Sequence, residues 1–186
     1  MAITIDGTAG ITFPNSTTQA GGAFVAGTSS AITSGTSVAS TSGTSINFTG
    51  IPSWVKRITV MFNGVSTNGS SVVQVRLGTA SGIEATGYLG ASATIQGTVT
   101  SGVNSTGLNL MNGNASFVTF SGQMIISLLT GNTYASQHVI GNADTISTVF
   151  LGGGAKALSG TLTQLRITTA NGTDAFDAGS INILYE

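Results

Sequence analysis

Between residues 46 and 185, large apolar side chains alternate with polar ones in short runs, and this period of two predicts strands rather than helices. In Lys56–Phe62, Ile58, Val60 and Phe62 fall on one face. In Val73–Leu77, Val73, Val75 and Leu77 point one way while Gln74 and Arg76 point the other. Leu162–Thr168 repeats the pattern, with Leu165 and Ile167 opposite Arg166. Asn63-Gly64, Asn68-Gly69, Asn112-Gly113, Gly131-Asn132 and Asn171-Gly172 punctuate the runs. Asn and Gly accept the positive φ of tight hairpin turns. About nine or ten strands at this spacing predict an all-β chain, an antiparallel, jelly-roll-like β-sandwich with almost no helix. The expected core is Ile46, Phe48, Trp54, Ile58, Val60, Phe62, Val73, Val75, Leu77, Phe117, Ile125, Leu128, Val139, Ile146, Phe150, Leu165, Ile167, Ile181 and Ile183.

The first 43 residues read differently. Ala2–Ile5 and Gly10–Phe13 are short strand-like pieces around Asp6-Gly7-Thr8-Ala9, followed by a Ser/Thr/Gly/Ala stretch over Ser16–Gly43. With few large apolar residues, that stretch closes no core of its own; it is a linker or is ordered by neighbouring chains. Two regions are therefore expected, an extended segment over 1–43 and a sandwich over 44–186.

Only 5 Lys and Arg and 6 Asp and Glu occur in 186 residues, where an ordinary domain carries roughly a quarter charged residues. Acid–base catalysis, phosphate binding and nucleic-acid recognition all need clustered ionisable groups, so the expectation is a structural or binding protein that is not an enzyme. Low net charge also removes the repulsion that keeps copies apart. There is no cysteine, hence no disulfide or thiol chemistry. No apolar run is long enough to span a bilayer as a helix, and MAITIDGTAG lacks the basic and apolar regions of a signal peptide. Neither membrane insertion nor secretion through a leader is expected.

Ile3–Gln19, ITIDGTAGITFPNSTTQ, resembles a segment that recurs in bacteriophage tail fibres and related virion proteins, with Asn15-Ser16 in place of the usual Asp-Gly. Phe176–Glu186, FDAGSINILYE, resembles the closing strand of small phage structural proteins. Gly50–Phe62 and Leu158–Thr169 are similar to a domain of the same virion proteins. The resemblance implies a virion component made in the host cytoplasm and assembled as a homotrimer with other virion proteins. A short tail fibre or similar appendage that binds the host surface non-covalently is expected; the alternative is a capsid decoration protein that cements the shell. It also implies attachment to the particle through the N-terminal segment, with Ile3, Ile5, Ile11 and Phe13 as its apolar contacts.

Site chemistry is sparse. His138 is the sole histidine, and zinc needs three or four convergent ligands, so no metal and no cofactor are expected. Asp174 and Asp177 lack the spacing of a calcium loop and read as loop carboxylates. Glu84 and Asp144 are the only pair worth weighing as glycosidase carboxylates, and nothing in the sequence brings them together. Gly152-Gly153-Gly154-Ala155-Lys156 lacks phosphate-loop spacing and reads as a glycine-rich loop between strands. Six Asn-x-Ser/Thr sites follow from composition alone. For stacking on a host glycan, Trp54, Tyr88 and Tyr134 are the aromatics to consider; Trp54 is assigned to the core, leaving Tyr88 and Tyr134 as receptor-contact candidates.

Overall fold

A computed structural model of the chain describes residues 32–113, 118–142 and 147–186 in full, together with the backbone of three short strands nearer the N-terminus. The chain divides into two compact units, Met1–Ile32 and Thr33–Glu186. In the first, β1 (Thr4–Asp6), β2 (Gly10–Thr12) and β3 (Thr18–Gln19) form an antiparallel sheet in that order. Ile5 pairs with Ile11 across it.

The second unit is all-β, with no helix among the described residues. Its strands are β4 (Thr33–Ser34), β5 (Val38–Ala39), β6 (Ser45–Thr49), β7 (Arg57–Thr67), β8 (Val73–Thr79), β9 (Gly82–Ile83) and β10 (Tyr88–Gln96). They continue with β11 (Thr98–Asn104), β12 (Leu108–Asn109), β13 (Phe120–Thr130), β14 (Thr133–Asn142), β15 (Val149–Ala157), β16 (Gln164–Thr169) and β17 (Phe176–Tyr185). The larger sheet runs β11-β10-β15-β14-β13-β7-β17-β4, with β5 also on β17; the smaller runs β12-β8-β16-β6, with β9 on β8. All pairings are antiparallel, and the two sheets pack into a sandwich. The larger sheet has nine strands and the smaller five.

Residues 33–43, placed with the N-terminal segment in the sequence reading, lie along β17. Gly35 N donates to the Ile183 carbonyl (2.8 Å), Ser40 Oγ to the Ala178 carbonyl (2.8 Å), and Phe176 N to the Gly43 carbonyl (2.9 Å). Backbone hydrogen bonds order this polar stretch, for which large apolar side chains are not required.

The core is the inward row of each sheet. Ile58, Val60 and Phe62 of β7, Met124 and Ile126 of β13, and Ile181 and Ile183 of β17 are buried, in one apolar cluster with Val73, Val75 and Leu77 of β8 and Leu165 and Ile167 of β16. Phe62 and Phe120 meet at 5.7 Å between ring centroids. Gln74 is buried as well, from the other face of β8, under Gly107, where a Cβ would come within 2.5 Å of Gln74 Oε1. Three expected core residues stand elsewhere: Trp54 and Val139 are exposed, and Ile125 is half-buried on the outward face. Met124, Ile126 and Ile140 take the inward places beside them. Phe117 and Ile146 lie outside the described residues.

Two turn expectations also change. Asn63-Gly64 is not a hairpin but a β-bulge inside β7: Phe120 pairs with Val65 and Gly122 with Phe62, so Ser121 alone opposes both residues. Gly64 (φ +61°) donates its N–H to Ser121 Oγ at 2.9 Å. On the other side a Cβ at Gly179 would lie 2.3 Å from the Gly64 carbonyl oxygen. Gly152–Lys156 is not a loop but the middle of β15. Its glycines let the neighbouring strands approach: a Cβ at Gly152 would meet the Ala91 carbonyl oxygen at 2.5 Å and His138 Cε1 at 2.7 Å.

The register predicts a sharp contrast between neighbours on β7. Ile58 is 1 % exposed and its neighbour Arg57 is exposed. Ile58→Asp places an unpaired carboxylate in the core, at several kcal/mol, a large part of the roughly 5–15 kcal/mol that holds a domain. Arg57→Asp is expected to change stability by about 1 kcal/mol or less. Urea denaturation of both variants checks this; equal losses would mean that the assigned faces are reversed.

Candidate functional site

The turn between the two sheets, Ile51–Lys56, presents an aromatic platform. Ile51 and Val55 are buried and anchor its ends, and Val55 N donates to the Pro52 carbonyl at 3.1 Å to close the turn. Trp54 sits in that turn with both flanks held, so its indole is 51 % exposed. Its ring stands against Tyr185 near the end of β17, centroids 5.8 Å apart at 49°. The chain next to both rings is tied down: Lys56 N and Arg57 N donate to the Glu186 carbonyl at 2.7 and 2.9 Å, and Glu186 N donates to the Arg57 carbonyl at 3.0 Å. The Arg57 guanidinium and Glu186 carboxylate form an ion pair at this corner. Exposed Lys56 adds a cation, so three of the eleven charged residues gather beside the aromatic pair. An aromatic face flanked by charged donors and acceptors can hold a polar ring-shaped ligand by stacking and hydrogen bonding.

Tyr88 and Tyr134 do not supply such a face. Tyr88 is 2 % exposed and Tyr134 6 %, so their rings are closed to a sugar. The Tyr88 hydroxyl accepts from Leu77 N (2.7 Å) and donates to the Glu84 carbonyl (2.9 Å), tying β10 to β8. Burial pushes its pKa up to about 12, and burial also raises that of Tyr134. Lys156 Nζ lies over the Tyr88 ring at 5.5 Å, pairs with Glu84 Oε2 at 2.5 Å and donates to the Ala157 carbonyl at 2.8 Å. Glu84 Oε1 accepts from Ser159 N and Oγ at 2.9 and 2.7 Å. Burial alone would raise the Glu84 pKa, but the Lys156 and Ser159 bonds outweigh it and hold it down to about 2. Glu84 is therefore a locked anion, unsuited to proton transfer at neutral pH. Asp144 lies outside the described residues.

Asp174 and Asp177 are turn organisers. Asp174 accepts from Ser71 N (2.8 Å) and Asn171 Nδ2 (2.6 Å), and Asp177 accepts from the Ser66 hydroxyl. Among the described residues no three of His, Cys, Asp and Glu gather in a metal-binding group. Of the expected attachment residues, Ile5 and Ile11 face each other in register on β1 and β2, while Ile3 and Phe13 lie outside the described residues.

The outward face of the large sheet carries a second feature that the sequence reading missed. Gln123, Ile125, Gln137, Val139 and Leu151 enclose an open hollow of about 340 Å³. His138 lies on the opposite, inward side of the same strand, 4 % exposed, and neither ring nitrogen has a hydrogen-bond partner. Burial pushes its pKa down to about 4, outweighing the Leu110 backbone, which favours the charged form.

These groups predict a two-stage acid response. An unfolded histidine takes a proton near pH 6.5, whereas His138 in the fold resists until about 4. Stability is thus whole above pH 6.5 and falls as pH drops through 6.5 to 4, by roughly 3 kcal/mol in all. Glu84 adds a further loss from about pH 4.5 down toward 2, as its ion pair is protonated. His138→Leu is expected to flatten the first stage and keep the second, read as urea midpoints at pH 7, 5.5, 4.5 and 3; parallel curves for the two proteins would contradict the assignment. No family model matches the chain, and no match was found among the curated proteins or the solved structures compared with it.

Proposed function

We propose that this chain is a phage virion structural protein, a short homotrimeric tail fibre or similar appendage, that binds a host surface glycan non-covalently. The exposed Trp54 platform is the observation that carries the binding half of this reading. A large indole costs free energy to leave in water, yet this one is held outward by two buried anchors, Ile51 and Val55. Tyr185 supports its ring, and Arg57, Lys56 and Glu186 supply donors and an acceptor for sugar hydroxyls. The virion half rests on the resemblance of Ile3–Gln19 and Phe176–Glu186 to phage structural proteins, and on a composition that suits self-association. The second segment contributes directly to the platform through Tyr185 and Glu186.

Trp54→Ala is expected to weaken binding of the purified protein to host cell-envelope polysaccharide by tenfold or more, since exposed tryptophans at binding centres commonly carry about 2 kcal/mol. Trp54→Phe should keep part of the affinity. Neither change touches the core, so the circular dichroism spectrum should not move. Unaltered binding by the alanine variant would overturn the assignment of the platform.

A further inference from the structure

Strand register fixes which side chains share the outer face of the large sheet. Ala93, Leu151, Val139 and Gln123 form one row across β10, β15, β14 and β13. The next row runs from Val103 on β11 through Ala91, Gly153 and Gln137 to Ile125. Val103 is 87 % exposed and Val139 64 %. Across these five strands the only ionisable side chains besides the tyrosines are His138 and Lys156, and both are buried on the inward side. The outward face therefore carries Val, Leu, Ile, Ala, Gly and uncharged polar groups alone. Among the described residues β11, TVTSGVN, pairs only with β10, and it carries none of the charges or prolines that usually blunt a free edge.

We propose that this face is where copies of the chain meet, each laying the outer side of β10, β11, β13, β14 and β15 against a second copy. The inference rests on the reading of the chain as an assembling virion protein and names the surface that does it. Three features select a second copy as the occupant. A face without charge meets its own like without repulsion, and it offers nothing to steer or select a differently charged partner. Large and small residues sit side by side in each row, Leu151 beside Ala93 and Ile125 in the row of Gly153, so ridges on one copy have grooves on the other to enter. The extent fits as well: five strands spaced about 4.8 Å and some eight residues long at ~3.3 Å each present roughly 600 Å². Two such faces bury about 1,200 Å², within the range of stable interfaces. The hollow between Ile125, Val139 and Leu151 is a ready socket for an apolar side chain of the opposing copy.

The test uses the full chain at micromolar concentration with light scattering. The unaltered protein should have at least twice 18.5 kDa, because a face laid on its like joins copies in pairs. Val139→Glu with Leu151→Glu should reduce it to a single chain with an unchanged circular dichroism spectrum, because both side chains already face outward. Val139→Thr, which keeps the shape and adds no charge, should stay assembled. If the double variant fails to fold, Val103→Glu at the exposed edge strand takes its place and should likewise dissociate. A monomeric unaltered protein would overturn both this surface and the assembly reading. Glutamate variants that fold and remain assembled would overturn this surface alone. Binding of polysaccharide to Trp54 is a separate measurement that neither outcome decides.

Discussion

Burial of the inward rows of β7, β13 and β17 against β8 and β16 is the interaction from which the rest of the structure hangs. β7 is hydrogen-bonded along both edges, to β13 and to β17, so its Ile58, Val60 and Phe62 place three strands at once. Each such side chain contributes about 1.5–3 kcal/mol on leaving water. The Arg57–Glu186 pair at the surface contributes at most about a tenth of that row, since surface ion pairs are worth roughly 0–1 kcal/mol. The bulge at Asn63-Gly64 follows from the same packing: it lets β7 continue past Phe62 with Val65 still directed into the core. The Trp54 turn and the end of β17 are then brought together because Tyr185 pairs with Ile58 in the register that the core sets.

Most of this architecture was legible wherever one face of a strand is apolar and the other polar. β7, β8 and β16 were read with the right residues inward, because Arg57, Arg76 and Arg166 mark their outer sides. The reading failed where that contrast is missing. In Met124–Leu129 and His138–Ile140 apolar residues stand on both faces, and period two cannot say which row is inside. Alternation alone points Ile125 and Val139 inward for that reason, yet both border the outer hollow. The ambiguity has a physical source: where both faces of a strand carry apolar residues, alternation leaves no polar mark to tell them apart.

The aromatics were harder. Hydropathy would put Leu89 inside and Tyr88 outside, whereas Tyr88 is buried and Leu89 exposed. The partners that settle it, the Leu77 and Glu84 backbone, lie on other strands, and their approach is invisible along the chain. Leading into β7, Trp54 reads as a core residue, but the turn closed by Val55 N and the Pro52 carbonyl holds it outward. Asn63-Gly64 carries hairpin chemistry, and the same positive φ serves a bulge when strands on both sides continue past it. Neither the Glu84–Lys156 clamp nor the unpartnered state of His138 could be read from spacing, since each depends on strands brought together by pairing.

The account makes this chain a component of a virus particle whose outward aromatic corner is left free for a ligand. Imaging of whole particles at a resolution that shows individual appendages, with the chain carrying an added recognisable domain beyond Glu186, tests that most directly. The account predicts the added density on the tail. Density over the capsid lattice would instead favour a decoration protein, and particles purified to homogeneity without the chain would contradict the virion reading altogether.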